Sequence, residues 1–313
     1  MNKTLSTIIL SLLLAGTAIA QTWKPAGDKI KTPWAEKINP ESPLPEYPRP
    51  QMTRPDWQNL NGLWDYAIVQ KGGWLPEKFD GKILVPFAVE SNLSGVQKTV
   101  GSANELWYQR TFTVPAGWKN RDILLHFGAV DWEAEVWVNN INAGSHKGGY
   151  TPFSFNITNL LNKTGQQTIT VKVWDPSDEG YQPRGKQVKN PQGIWYTPVT
   201  GIWQTVWMEP VKTAFVSAVK TVPNIDGGTV SVLAETSGTT ASDLVSVKVL
   251  EAGKVIAEGK AVAGEKVLLP VKNAKLWSPE SPFLYDLEVS VIRKEEVLDN
   301  VGSYFGMRKI STN

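Results

Sequence analysis

Three acids at alternate positions, Asp131, Glu133 and Glu135, are the first place in this sequence where hydrolytic chemistry could reside. On a β-strand alternate side chains share a face and stand about 6.6–6.8 Å apart. That spacing overlaps the roughly 6.5–9.5 Å between the general acid and general base of an inverting glycosidase. Two groups on one strand, however, approach a substrate from the same side. Alternate acids are served equally well by solvent or by lysines on neighbouring strands. A second concentration of polar groups runs from Asp175 to Lys189, with the candidate sugar contacts Asp178, Gln182 and Arg184 beside Trp174, Trp195 and Tyr196. Sugar hydroxyls need paired donors and acceptors, and ring faces need an aromatic platform. Such a loop is well suited to display at the end of a rigid scaffold; a solvated loop stiffened by its own prolines is the plain alternative.

The remaining reactive types are few. His126 lies in an apolar strand, where a core role is expected, and His146 lies in the glycine-rich stretch 144–150. Two separated histidines make no metal motif, and Gly148-Gly149 does not lead into a helix that could cradle phosphate. The absence of cysteine excludes disulfides, thiolate metal sites and a cysteine nucleophile. No metal or cofactor is expected. A net charge of +2 with acids and bases interspersed offers nucleic acid no basic tract.

The elements that must hold these groups are strands. Lys3, the apolar run Leu5 to Ala15 and the small residues Ala18 and Ala20 form a secretory signal peptide pattern, with cleavage before Gln21. The run is shorter than the roughly 20 residues of a membrane span, so the expectation is a periplasmic or secreted chain with no membrane association once the leader is removed. Residues 21–55, crowded with proline, are expected to form an extended arm along the first module. From residue 56 to 211, short β-branched and aromatic runs are broken by Gly, Pro, Asn and Asp: Leu63 to Val69, Trp107 to Val114, Asp122 to Phe127, Ala134 to Val138, Thr168 to Trp174 and Gly201 to Glu209. No segment keeps an apolar helical period, so a sandwich or jelly roll is expected. Tryptophan then becomes scarce, only Trp277 following Trp207. Val-rich alternating runs over 212–310 have the size and spacing of an immunoglobulin-like sandwich. The fold class is all-β, in two modules.

Several motifs carry a resemblance to a known family. Leu106-Trp107-Tyr108-Gln109-Arg110-Thr111-Phe112, the run from Phe127 to Asn139, Gly148 to Phe153 and Thr200 to Trp207 resemble, in order, the first domain of family 2 glycoside hydrolases, the β-galactosidase and β-glucuronidase group. Leu276-Trp277-Ser278-Pro279 and Tyr304 to Ile310 resemble the same family's immunoglobulin-like module. The resemblance implies a galactose-binding-like jelly roll, then a β-sandwich, then a (β/α)₈ barrel whose two glutamates perform retaining hydrolysis of β-glycosides. Such a barrel needs at least about 200 residues, while three residues follow Ile310. The expectation is a non-catalytic front part whose partners are a carbohydrate and a barrel in cis or in trans. A free-standing carbohydrate-binding or scaffolding module is the alternative. The resemblance turns the Asp131 strand towards a structural role and the Asp175–Lys189 loop towards sugar. It makes Asp178 the match to a substrate-touching aspartate, with Asn104 a further candidate contact.

Overall fold

The computed structural model describes residues 23–28 and 30–312; the signal-peptide expectation lies outside them. The first module contains β1 (Gln58–Asn59), β2 (Gly62–Gln70), β3 (Gly81–Val85), β4 (Asn104–Phe112), β5 (Asp122–Phe127) and β6 (Val130–Asp131). It continues with β7 (Glu133–Val138), β8 (Ile141–Lys147), β9 (Phe153–Asn156), β10 (Gln167–Trp174), β11 (Gly201–Ile202) and β12 (Val206–Val211). These make a six-stranded sheet in the order β3-β2-β4-β10-β7-β8 and a four-stranded sheet in the order β1-β12-β5-β9, with β6 and β11 paired apart. Alternation supplies the core: Leu106 and Tyr108 of β4, Val136 and Val138 of β7 and Val171 and Val173 of β10 face Leu125, Phe127 and Met208 of the smaller sheet.

The second module contains β13 (Phe215–Asn224), β14 (Thr229–Ser237), β15 (Leu244–Glu251), β16 (Lys254–Val262), β17 (Lys266–Pro270), β18 (Tyr285–Arg293) and β19 (Glu296–Phe305). The three-stranded sheet β13-β14-β17 packs on the four-stranded sheet β16-β15-β18-β19. Val230, Val232, Val247, Val249, Val289 and Tyr285 are among the side chains that fill the space between.

The arm differs from the expectation that it lies along the first module alone. Its early part does so: Asn59 donates to the Leu44 carbonyl at 2.8 Å, and Trp23 packs on Gly95. Its later part crosses over. Met52 is buried in the core of the second module, and Thr53 pairs with Gly302 of β19. Arg54 then donates to Glu209 of β12 (2.8 Å), to Asp299 of β19 (2.7 Å) and to the Val216 carbonyl of β13 (2.6 Å). Arg49 and Tyr47 also donate to Glu209, at 2.7 and 2.8 Å, and His126 Nε2 lies 3.1 Å from it. His126 is therefore buried as expected, stacked on Trp207, but at a charged junction.

Candidate functional site

The Asp131 triad does not form one row. β6 ends at Asp131, which pairs with Gly201 of β11, while Glu133 begins β7 and pairs with Trp174 of β10. Glu133 and Glu135 face outward against lysines, Lys147 at 3.0 Å and Lys172 at 2.7 Å. Asp131 is buried instead, with Gly149 pressed on its carboxyl. A Cβ at Gly149 would fall 2.4 Å from Asp131 Oδ1, so only glycine fits that position. Asp131 therefore points inward while Glu133 and Glu135 are tied up in ion pairs on the outer face.

Asp131 belongs to a buried acidic group under the loop that joins β10 to β11. Asp175 opens the loop: its Oδ1 accepts the Ser177 N–H at 2.8 Å and its Oδ2 accepts the Thr200 hydroxyl at 3.0 Å, tying the loop's two ends together. Glu90 accepts the Thr200 N–H at 2.9 Å through Oε2, while Oε1 is buried without a partner. Burial pushes both Glu90 and Asp131 up to about 7, with the charge on Asp175 adding to each. Burial raises Asp175 as well, against the hydrogen bonds from Ser177, Thr200 and Gln182. Sequence reasoning missed Glu90; its signal was an acid closing the apolar run Ile83 to Val89.

Above this base the loop folds on itself. Tyr196 N donates to the Lys186 carbonyl at 2.8 Å and Val188 N to the Tyr196 carbonyl at 3.0 Å. Gln187 locks the ladder: its side-chain oxygen accepts the Val199 N–H at 2.6 Å and its amide donates to the Tyr150 hydroxyl at 3.2 Å. At the tip, Trp195 N donates to the Gln192 carbonyl around Gly193, whose φ of +58° suits a residue without Cβ. The ordered backbone presents Ile194, Trp195 and Tyr196 to solvent, 66%, 43% and 65% exposed. Tyr150 stands beside them, edge-on to Trp203 with centroids 6.1 Å apart.

The expected sugar contacts sort differently. Asp178 is half-buried and accepts the Lys189 N–H at 3.4 Å. Arg184 is half-buried, with its Nε lacking a partner. Gln182 is turned inward, its amide donating to the Ser177 carbonyl at 2.7 Å, so its side chain holds the loop together rather than facing solvent. Asn104 opens β4 and donates to the Val100 carbonyl at 2.8 Å. Its neighbour Ser102 reaches the loop, donating to Glu179 and accepting the Trp174 indole N–H. Among the described residues no group of three or more His, Cys, Asp or Glu could hold a metal ion.

Known proteins share this architecture. A β-glucuronidase of Paenibacillus borealis is 27% identical over 277 residues, covering 82% of this chain and 44% of that protein. A β-galactosidase of Thermoanaerobacter pseudethanolicus is 28% identical, covering 65% of this chain and 28% of that protein. The solved Lactobacillus rhamnosus β-glucuronidase superposes with a TM-score of 0.68 at 25% identity, over 83% of this chain and 46% of that one. The chain thus spans less than half the length of these relatives. Residues 67–208 match the family described as glycosyl hydrolases family 2, sugar binding domain, and residues 206–308 match glycosyl hydrolases family 2. With two successive domains of one family covering both sandwiches in order, the chain belongs to family 2 of the glycosyl hydrolases.

Proposed function

We propose that this chain is the non-catalytic front part of an exported family 2 β-glycosidase, gripping the sugar end of a β-glycoside and buttressing the catalytic barrel. The observation that carries this is the ledge of Ile194, Trp195 and Tyr196 on a loop fixed at both ends by Asp175 and Thr200. Exposed aromatic faces on a rigid support cost little to order when a partner or a sugar ring covers them. Asp178 and Arg184, half-buried in the same loop, supply the polar contacts within this proposal, with Asn104 at the start of β4 a further one.

The purified chain is expected to release no nitrophenol from nitrophenyl β-galactoside or β-glucuronide; turnover abolished by Glu133→Gln would overturn the non-catalytic assignment. The ledge is expected to drive concentration-dependent self-association, which a Trp195→Ser/Ile194→Ser variant suppresses in sedimentation. A wild-type chain that stays monomeric at high concentration would argue against a covered ledge. Export predicts Gln21 as the first residue of the chain recovered from periplasm or medium, and recovery only from cytoplasm with Met1 intact would refute it.

A further inference from the structure

Trp107 and Trp137 stand on the wrong side of their sheet for core residues. Their neighbours Leu106, Tyr108, Val136 and Val138 fill the jelly-roll core, so alternation puts the two indoles on the outer face. They flank β10, Trp107 opposite Lys172 and Trp137 opposite Thr170. Across it they stack with centroids 5.7 Å apart and planes 18° apart. Lys172 Nζ sits 5.8 Å from each ring centroid while paired to Glu135 at 2.7 Å, so its charge is matched. The β2–β3 turn carries Trp74, 92% exposed, to the rim. With Asn140 and Thr170 these side chains line a groove of about 430 Å³. None of the groove's lining comes from the β10–β11 loop.

The chemistry of the lining selects its occupant. Tryptophans on an outer face add nothing to the core, and Trp107, only 6% exposed, keeps an indole N–H without a protein acceptor. The groove falls within the ~300–1,000 Å³ of small-molecule sites, apolar with a few polar groups. A pyranose with all-equatorial substituents offers axial C–H faces to indole and a rim of hydroxyls to the Asn140 amide, the Thr170 hydroxyl and the Lys172 ammonium. A peptide strand would seek an open sheet edge, and this groove lies on a face.

We propose that the outer face of the six-stranded sheet is a second glycan-binding site, taking neutral gluco-configured rings of a β-linked polysaccharide independently of the Trp195 ledge. The test is affinity electrophoresis and calorimetry of the full chain with soluble mixed-linkage β-glucan and hydroxyethyl-cellulose, against dextran and polygalacturonate. Retardation by the β-glucans is expected, weakened about tenfold by Trp74→Ala or Trp137→Ala, as stacking losses near 1.4 kcal/mol imply. The Trp74-dependent retardation should persist in Trp195→Ala. Because Trp74 is almost wholly exposed, its truncation leaves the fold intact, which a thermal melt verifies. No retardation, or retardation indifferent to both substitutions, overturns the proposal. So does stronger binding of polygalacturonate, or a dimer that Trp74→Ala dissolves, because the groove would then serve an acidic glycan or a second copy of the chain.

Discussion

Asp131, Glu90 and Asp175 place three carboxyls under one loop, and their titration dictates how that loop's support responds to pH. Glu90 and Asp131 move from ordinary carboxylate values up to about 7, burial being the main cause. A raised carboxyl binds its proton more tightly in the folded state than in the unfolded chain. Its favourable contribution is therefore complete below the ordinary range near pH 4 and is lost as pH climbs to about 7. Asparagine at 131 cannot ionise and escapes that loss. Asp131→Asn is thus expected to gain roughly 1–3 kcal/mol on the wild type between pH 5 and pH 8. Urea unfolding at several pH values measures this directly. A stability difference that does not change with pH would mean Asp131 is not held neutral. The sequence pattern marked Asp131 for its neighbours Glu133 and Glu135, whereas the fold sets it beside Asp175 of a distant segment, the same acid whose charge acts on Glu90.

Among the elements, long strands with one buried face were readable, while the short Gly81–Val85 and the exposed edge strands were not. Asp122 to Phe127 runs apolar because it lines a core, and the expected run coincides with its strand; the alternation expected over 212–310 likewise falls on strands with one buried face, such as Leu244–Glu251 and Tyr285–Arg293. The strand from Lys254 to Val262 escaped notice because its side chains are mostly exposed at a sheet edge, so no period of two constrains them. The stretch 144–150 reads as a glycine-rich turn, yet its first half belongs to the strand Ile141–Lys147: Gly144 makes room for the Phe155 ring, and the strand carries few apolar residues. The expected strand from Gly201 to Glu209 divides in two, since Gly201–Ile202 pairs with Val130–Asp131 and Val206–Val211 with Asp122–Phe127. The β10–β11 loop was located by composition, but the inward turn of Gln182 and the lock made by Gln187 depend on hydrogen bonds that no local pattern encodes. Gln187→Ala removes the acceptor of Val199 N–H and the donor to Tyr150. Loss of amide-exchange protection at Val199 and Tyr196 is expected, with the rest of the jelly roll unaffected. Unchanged protection would show that the backbone ladder holds the loop unaided.

Across the whole molecule, the arm is a tie between sandwiches, and Glu209 is its knot. Burial opposes charge on Glu209, yet His126, Arg49 and Arg54 around it hold the carboxyl well below the usual range. A depressed carboxyl stabilises above the ordinary glutamate range and loses that contribution as pH falls through it, so neutral pH shows its full effect. Arg54 extends the network to Asp299, and Met52 enters the second core one residue before the Thr53–Gly302 pairing. Glu209→Ala removes a shared acceptor from Arg49, Arg54 and Tyr47 and leaves Arg54 to Asp299 and the Val216 carbonyl, a loss of about 2–3 kcal/mol on the scale of charged hydrogen bonds removed from a buried site. That is a large share of the ~5–15 kcal/mol that keeps a domain folded. The tryptophans offer a way to see which part yields. Only Trp277 lies beyond Trp207, so indole fluorescence reports chiefly on the jelly roll, while far-ultraviolet dichroism reports on both modules. In the wild type at pH 7 the two urea transitions are expected to coincide, because the arm and Glu209 make the modules unfold together. In Glu209→Ala they should separate, with dichroism lost at lower urea than fluorescence as the immunoglobulin-like module loses its anchor. Coincident transitions in the variant, or a midpoint unmoved from the wild type, would show that the buried cluster sits at the junction without joining its two halves.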